Sequence, residues 1–191
     1  MLSEYIYRIG RRLSRAAYSE VDKGIWIANS ASVSDSAKLT APLIIGEECE
    51  IGRLTTLGKN VILGDECVIG NGSVVRSSVL FDGVYAAQNN YISDSIVGYK
   101  ASFGMGAIVS VIPPERREII CTFGEQSVRC KRARLGAIVG DEATVGYSSV
   151  LSAGTVIERG ARVNPLTRVR GFVSASRAYK GEKIIVSDIL L

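Results

Sequence analysis

The sequence predicts an all-β protein, a parallel β-helix of six-residue repeats with an N-terminal helix and one projecting loop or hairpin. Three observations predict this fold: an apolar residue recurs every six positions, a small residue follows it four positions later, and the frame is regular outside two interruptions. The first block of apolar positions is Ile27, Val33, Leu39, Ile45, Ile51, Leu57, Leu63, Ile69 and Val75. The frame returns at Tyr91, Val97, Phe103 and Val109, and again at Val139, Val145, Leu151, Ile157, Val163 and Val169.

A six-residue spacing suits one short strand and one turn per repeat, because a helix places apolar residues three and four apart and an isolated strand two apart. Three repeats close a triangular coil of about 18 residues, and coils stack at the inter-strand spacing of about 4.8 Å. The large apolar residue then points into the prism, and the small residue fits at its corner. Glycine follows the apolar residue in five successive repeats, and we expect it to supply turn conformations that other residues resist. These glycines are Gly46, Gly52, Gly58, Gly64 and Gly70.

The chain is expected to divide into an N-terminal capping helix over 1–22, a β-helix over 23–175 and a C-terminal tail over 176–191 that packs on the body or on a neighbour. Ile6, Ile9 and Leu13 have helical spacing, and Ser3 can serve as N-cap. Arginines alternate with them at positions 8, 11, 12 and 15. A helix that shields the open end of the prism is favoured. A basic helix on a membrane surface is the alternative.

Two interruptions break the frame. Phe81 and Tyr91 are ten residues apart, which predicts a loop over 82–90. The segment 112–135 has two prolines near its start, at positions 113 and 114, and two β-like runs around a glycine turn, which predicts a projecting arm in the form of a loop or hairpin. Loops that leave a rigid scaffold often carry function.

Composition excludes several classes of protein. The 191 residues include no histidine, and their four cysteines form no CxxC pair, so no metal site is expected. The net charge of +4 is too mild to indicate nucleic acid by itself. No apolar run approaches the roughly 18 residues of a membrane span and no secretion signal is recognisable, so we expect a cytoplasmic protein without a membrane partner.

Cys49 and Cys67 are 18 residues apart and are expected to stack at one corner of adjacent coils. Cysteine packs as a small apolar residue, so a buried corner position is the favoured interpretation. A disulfide or a metal-binding pair is the alternative.

Three strings carry a more specific resemblance: NNYISDSIVG at 89–98, SFGMGAIVS at 102–110 and KRARLGAIVGDEATVG at 131–146. Through them, the chain from Ile45 to about Arg170 resembles the C-terminal half of microbial bifunctional sugar-1-phosphate nucleotidyltransferase/acetyltransferases of the UDP-N-acetylglucosamine pyrophosphorylase type. The resemblance implies a left-handed β-helix, a homotrimer, and acetyl-CoA bound between neighbouring subunits. Nothing upstream of Ile27 offers a glycine-rich nucleotide loop or acidic magnesium ligands, so nucleotidyl transfer is not expected of this chain. A separate sugar-phosphate nucleotidyltransferase chain is a candidate partner.

The resemblance also places the family's site residues on this sequence. The family's catalytic histidine falls on Gln88, three positions before Tyr91, and an amide cannot take up a proton at neutral pH. Tyr91 itself is kept. The family's asparagine falls on Val111, and its alanine falls on Met105, whose side chain could occupy the thioester pocket.

Charged residues complete the candidate site. Two family lysines fall on Arg117 and Ile120, so one positive charge survives. The side chains of Arg117, Lys131, Arg132 and Arg134 could meet phosphates of coenzyme A or a sugar nucleotide. Asp94 or Glu115 could replace the missing base, since a carboxylate in an apolar setting can take up a proton near neutral pH.

These substitutions favour a catalytically degenerate relative that acts as a trimeric scaffold or regulatory partner in sugar-nucleotide metabolism. The alternative is an active acetyl-CoA-dependent sugar or amino-sugar-phosphate acetyltransferase with a non-histidine base, with Tyr91 and Asp94 as its catalytic residues. A third class, binding of nucleic acid or another anionic polymer through the arm, would add Arg116 and Arg129 to the basic set. Few aromatic residues accompany those arginines, so a solvated arm is favoured over nucleic-acid binding.

Overall fold

Short parallel strands fill the chain from Ile25 to Tyr179 in a computed structural model whose described residues are 2–13, 17–113 and 118–180. One helix, α1, spans Leu2–Gly10. The first strands are β1 (Tyr18–Asp22), β2 (Ile25–Ala28), β3 (Ser32–Val33), β4 (Lys38–Leu39), β5 (Leu43–Ile45), β6 (Glu50–Ile51), β7 (Thr56–Leu57), β8 (Val61–Leu63) and β9 (Val68–Ile69). They continue as β10 (Val74–Arg76), β11 (Val79–Leu80), β12 (Tyr85–Ala86), β13 (Tyr91–Ser93), β14 (Ile96–Val97), β15 (Ser102–Phe103), β16 (Ile108–Val109), β17 (Ile119–Phe123) and β18 (Gln126–Cys130). The last are β19 (Ile138–Val139), β20 (Thr144–Val145), β21 (Val150–Leu151), β22 (Val156–Ile157), β23 (Arg162–Val163), β24 (Arg168–Val169), β25 (Phe172–Val173) and β26 (Ala178–Tyr179).

Strands one coil apart pair in parallel, so the chain forms a β-helix with three faces. The β-helix is left-handed. Face A contains β2, β5, β8, β11, β14, β19, β22 and β25. Face B contains β3, β6, β9, β12, β15, β20, β23 and β26. Face C contains β4, β7, β10, β13, β16, β21 and β24. The predicted fold class is therefore confirmed.

The inward residues form one continuous core. Leu57, Leu63, Ile69, Phe103 and Leu151 are fully buried in the prism. Close packing of such side chains stabilises each coil by about 1.5–3 kcal/mol per large residue. The six-residue frame therefore identifies the core over most of its length.

The frame shortens between Val75 and Val97 instead of opening into a loop. Leu80 pairs with Leu63, and Ile92 pairs with Val75, so these coils have 17 residues. The predicted loop over 82–90 is wrong, because this segment forms β12 and its turns. The frame assigned to Tyr91 is also wrong, since Ile92 is the fully buried residue and Tyr91 faces outward.

Buried serines explain how the shortened turns close. Ser78 Oγ donates to Arg76 O at 2.7 Å and accepts from Ser95 N at 3.1 Å. In the next coil, Ser95 Oγ donates to Ser93 O at 2.7 Å and accepts from Ala137 N at 3.1 Å. The hydroxyls thus satisfy backbone groups that a longer turn would satisfy itself.

The glycines after the inward residues serve close approach between coils. A Cβ atom on Gly46 would lie 2.5 Å from Gly64 O in the next coil. The positive φ angles occur two residues later, at Glu48 (52°) and Glu66 (57°) for example. The expectation that glycine supplies the turn conformation at these positions is therefore wrong.

Cys49 and Cys67 are buried corner thiols, as the favoured interpretation predicts. They are 1% and 0% exposed, and both are free. Cys49 Sγ donates to Gly64 O at 3.0 Å, and Cys67 Sγ donates to Phe81 O at 3.2 Å. The hydrogen bond with Cys49 and burial raise the pKa of the Cys67 thiol.

The N-terminal segment differs from the predicted helix over 1–22. Helix α1 ends at Gly10, where a larger residue would overlap the Trp26 ring, and β1 pairs antiparallel with β2. Ile6 is buried against Trp26 and Ile44 on the outside of face A. The Tyr7 and Trp26 rings meet edge to face, with centroids 5.8 Å apart. The helix thus covers outward apolar side chains of the first coils.

The arm contains the predicted hairpin. Strands β17 and β18 pair antiparallel around Gly124, whose φ is 59°. Leu135 N donates to Val111 O at 3.1 Å and closes the base of the arm. The hairpin packs on its own body, because β17 lies against β22 and β25 and Ile119 and Cys121 are each 2% exposed.

Two further expectations concern the C-terminal tail and membrane-spanning segments. Strand β26 extends face B into the predicted tail, and residues 181–191 lie outside the described residues. In the described part of the chain, no helix has the length and apolar character needed to cross a membrane.

Candidate functional site

Tyr91 lies in the outward column of face C. Cross-strand pairing sets this column as Lys38, Thr56, Val74, Tyr91, Ile108, Val150 and Arg168. The two direct neighbours of Tyr91 are therefore Val74 and Ile108, one coil away on each side. Neither side chain can accept a proton or hold an anion, so the surroundings of the Tyr91 ring in this column are apolar.

Gln88 and Met105 stack at the edge between faces B and C. Gly106 N donates to Gln88 O at 3.0 Å, and Ser148 N donates to Met105 O at 2.8 Å, so Gln88, Met105 and Tyr147 occupy successive coils. Met105 is 54% exposed and Tyr147 is 56% exposed. Gln88 is exposed and lines a shallow depression of about 240 Å³ together with Tyr85. The side chains at the positions where the resemblance expects histidine and alanine are therefore open to solvent.

Asn90 holds the turn beside Gln88. It is 2% exposed, its Nδ2 donates to Ala87 O at 2.8 Å, and its Oδ1 accepts from Ala107 N at 2.8 Å. A buried amide with both ends satisfied stabilises the turn and is not free to bind a ligand. The resemblance did not single out Asn90.

Asp94 lies at the other end of β13, in the turn from face C to face A. Its Oδ2 accepts a hydrogen bond from Ser93 Oγ at 2.7 Å and lies 3.3 Å from Arg134 Nη2. The structure therefore places Gln88 and Asp94 at opposite edges of face C, with Tyr91 on the strand between them.

The predicted basic residues separate into two groups. Lys131 and Arg132 are exposed on the arm, whereas Arg134 pairs with Asp94. Ile120 is 49% exposed on β17. Arg117 and Glu115 lie outside the described residues. The charge of Arg134 is thus already matched by a carboxylate of the same chain.

A groove that the sequence reasoning missed lies between the arm and face C. Its volume is about 740 Å³, and Ser110, Ile120, Ser152, Arg168 and Arg170 contribute to its lining. The residue before each inward position points outward, so the hexad frame predicts that Arg168 lies on the surface of face C. The frame does not predict where the arm lies, and the arm forms the other wall of the groove.

The chemistry available at this site is limited. Among the described residues, no group of three or more cysteine, aspartate or glutamate side chains could hold a metal ion. No closed pocket brings together Tyr91, Gln88 and Asp94, the last of which pairs with Arg134. General-base catalysis requires an acceptor within hydrogen-bond reach of the substrate proton.

The fold places this chain among the left-handed β-helix proteins built from six-residue repeats. A family model described as the GMPPB C-terminal domain matches residues 39–135, about half of the chain. The chain belongs to this family. It is also 25% identical over 178 residues to a bifunctional sugar-1-phosphate nucleotidylyltransferase/acetyltransferase of Sulfurisphaera tokodaii. That alignment covers 84% of this chain and 44% of the relative, so the chain spans less than half of the relative's length.

The chain is also similar to solved structures at low identity. AntD, an N-acyltransferase from Bacillus cereus solved with dTDP and 3-hydroxybutyryl-CoA, is 14% identical, with a TM-score of 0.47 over 92% of this chain and 81% of that one. WeeI from Acinetobacter baumannii is 17% identical, with a TM-score of 0.45 over 76% of this chain and 52% of that one. Similarity at this level carries no conclusion about ligand or reaction.

Proposed function

We propose that this chain is a catalytically degenerate member of its family, a homotrimeric scaffold or regulatory partner in sugar-nucleotide metabolism. The observation that carries the proposal is the column around Tyr91, whose neighbours Val74 and Ile108 are apolar and whose preceding turn offers the amide Gln88. An acetyl transfer at Tyr91 would lack both a proton acceptor and a cation beside the substrate. The partner would be a separate sugar-phosphate nucleotidyltransferase chain.

The surrounding substitutions support the same proposal. Met105 projects from the edge where the resemblance expects alanine beside the thioester. Val111 provides its carbonyl to the base of the arm and has no side-chain amide. The first change fills space beside the thioester and the second removes an amide that acetyl transfer would use, while the hexad scaffold is retained.

The direct test is calorimetry with acetyl-CoA followed by an acetylation assay on glucosamine-1-phosphate with the full chain. We expect no turnover above the uncatalysed rate. Clear turnover that falls on Tyr91→Phe would overturn the proposal. Tyr99→Phe is the matched control, because Tyr99 is an exposed tyrosine in the turn between faces A and B, at a different edge of the prism from Gln88.

The partner is tested by capture. Tagged chain from the native host is expected to retain a nucleotidyltransferase, and purified chain is expected to change that enzyme's rate. If the captured enzyme binds but its rate is unchanged with and without the chain, the regulatory role is wrong and the scaffold role stands. If no nucleotidyltransferase is retained at all, both roles are wrong.

The alternative is an active acetyl-CoA-dependent sugar acetyltransferase with a non-histidine base, and the carboxylate of Asp94 in the turn that follows the strand of Tyr91 favours it. Lys131 and Arg132, with Arg117, would then bind phosphates of acetyl-CoA or the sugar. In that case Tyr91→Phe and Asp94→Asn are both expected to reduce turnover. Unchanged rates in both variants would place the reaction elsewhere.

A further inference from the structure

Two thiols of the arm face each other across the hairpin. Cys121 lies on β17, Cys130 is the last residue of β18, and their Sγ atoms are 3.8 Å apart. Both cysteines are free. A disulfide bond is about 2.0 Å long, so the sulfur atoms must approach each other by roughly 1.8 Å for a bond to form. Rotation of the two side chains about their Cα–Cβ bonds supplies a movement of this size.

The strand register places both thiols on one side of the hairpin. Cys121 is opposite Val128 and Cys130 is opposite Ile119, so the two cysteines are diagonal neighbours. Cα atoms of diagonal neighbours are about 7–8 Å apart, slightly beyond the usual range for disulfides. Because Cys130 ends its strand, the backbone there can adjust to the bond. A bond between these positions is therefore possible but strained, and strained disulfides are readily reduced.

The two thiols differ in their access to solvent. Cys121 is 2% exposed because its side chain faces the body, where its Sγ is 3.6 Å from the position of a Cβ atom on Gly154. Cys130 is partly exposed. A small oxidant therefore reaches Cys130 first. The corner thiols Cys49 and Cys67 are 1% and 0% exposed, so that pair has no member that an oxidant can reach in the folded chain.

Exposed cations flank the accessible thiol. Arg129 precedes Cys130, and Lys131 and Arg132 follow it. Arg129 lies 3.8 Å from Glu118, whereas no carboxylate of the described residues forms an ion pair with Lys131 or Arg132. A positive surface of this kind raises the local concentration of anionic reactants. Among small oxidants it favours an anionic disulfide, of which glutathione disulfide is an example.

We infer that Cys121 and Cys130 form a reversible disulfide site on the arm, which an anionic low-molecular-weight disulfide oxidises. The thiolate of Cys130 attacks one sulfur of the oxidant, which leaves a mixed disulfide and releases one thiolate. The thiolate of Cys121 then attacks Cys130 Sγ, which forms the bond between the two cysteines and releases the second thiolate. The two departing thiolates take up the two protons that the cysteines lose. The protein thus loses two electrons, and the oxidant gains them.

The bond would connect the two strands of the arm. Cys121 and Cys130 are nine positions apart, so the crosslink closes a short loop around the hairpin turn. Strand β17 also contributes Ile119, Ile120 and Thr122 to the groove between the arm and face C. Oxidation is therefore expected to slow hydrogen exchange in β17 and β18 severalfold and to restrain this wall of the groove.

The test is oxidation of the full chain with glutathione disulfide, followed by blocking of free thiols in denaturant, trypsin digestion and mass spectrometry. Trypsin cleaves after Arg129, so Cys121 and Cys130 fall in separate peptides, 118–129 and 130–131. We expect these two peptides to be joined, and to separate on treatment with dithiothreitol.

The corner thiols are the internal control for the same digest. Cys49 and Cys67 fall in the tryptic peptides 39–53 and 60–76. Both are expected to carry the blocking group and to stay unlinked, because an oxidant cannot reach them in the folded chain.

Single variants test the order of the two steps. Cys121→Ser is expected to stop the reaction at a mixed disulfide between Cys130 and glutathione, because the resolving thiol is missing. Cys130→Ser is expected to leave the buried Cys121 unmodified. Circular dichroism is expected to show native β structure in both variants, since serine is close to cysteine in size.

Neutral side chains test the choice of oxidant. The double variant Lys131→Gln, Arg132→Gln is expected to react about threefold more slowly with glutathione disulfide at low salt. Its rate with the uncharged hydroxyethyl disulfide is expected to equal that of wild type. An equal change with both reagents would overturn the preference for an anionic disulfide.

Three results would overturn the disulfide site itself. The first is no link between 118–129 and 130–131 in wild type, and the second is a preferential link between the corner peptides. The third is a Cys121→Ser chain in which Cys130 takes up no glutathione. None of these measurements depends on acetyl transfer, so the site and the loss of catalysis can fail separately.

Discussion

The guanidinium of Arg134 lies 3.3 Å from Oδ2 of Asp94 and joins the base of the arm to the turn between faces C and A. Forty residues separate the two in the sequence. Asp94 is a candidate base, and Arg134 is a candidate phosphate-binding residue. Because they pair with each other, the contact bears on both hypotheses of function.

Breaking this pair is expected to cost little stability. Asp94→Asn and Arg134→Ala should each lower the free energy of unfolding by about 0.5–1 kcal/mol, because the side chains are 24% and 51% exposed. A double-mutant cycle in urea should give a coupling of about 0.5 kcal/mol that shrinks in 1 M salt. Arg132→Ala, which removes a nearby exposed arginine, is the control and should change nothing. Zero coupling would contradict the predicted contribution of this ion pair to stability.

The shortened coils predict opposite outcomes for two adjacent residues. Ile92→Ala should lower the free energy of unfolding by about 3 kcal/mol, since the side chain is fully buried in the core. Tyr91→Ala should cost less than about 1 kcal/mol, because the ring lies on the outer face. Chemical denaturation of both variants measures the difference. A larger loss of stability in Tyr91→Ala than in Ile92→Ala would mean that Tyr91 is the inward residue of this strand.

The corner glycines predict a steric penalty. Gly46→Ala should destabilise the fold by more than about 2 kcal/mol, because the new Cβ would lie 2.5 Å from Gly64 O. Gly124→Ala is the comparison: nothing lies within 4 Å of its Cβ position, so the positive φ alone should cost about 1 kcal/mol. Thermal unfolding of the two variants separates crowding from backbone strain. Equal losses would mean that the coils can move apart.

The thiol of Cys121 predicts a dependence of stability on pH. Burial, together with the hydrogen bond to Cys130, raises its pKa from 9.0 to about 11. The unfolded chain therefore loses this proton first as the pH rises. The associated stability is complete below about pH 9 and is lost between about pH 9 and pH 11. Unfolding free energies at pH 8 and pH 11 should differ more in wild type than in Cys121→Ala. An identical pH dependence in both would contradict the buried thiol.

Much of the scaffold follows from the sequence. Leu57, Leu63 and Ile69 recur at six because each strand points one large side chain into a narrow prism, and that constraint repeats at every coil. The hairpin of the arm follows from local signals too, since two β-like runs flank Gly124. Local and repeated constraints of this kind leave their pattern in the sequence itself.

The register between Val75 and Val97 was decided by the tertiary structure. Two turns are each one residue shorter, and buried hydroxyls of Ser78 and Ser95 satisfy the backbone groups across coils. Serine is common in turns of any length, so Ser78 and Ser95 do not indicate shortened turns in the sequence. The break in the six-residue spacing therefore predicts a loop instead. Tyr91, which the six-residue frame predicts in the core, therefore lies on the surface.

The sequence by itself determined a β-helix of hexads and most of its core residues, and it placed the amide Gln88 where the resemblance expects the family's base. The tertiary structure decided what lies beside Tyr91 and how Asp94 and Arg134 pair. The physical reason is distance along the chain. A hexad relates residues within one coil, whereas every outward column, edge and ion pair joins residues from different coils, and only the stacking brings them together.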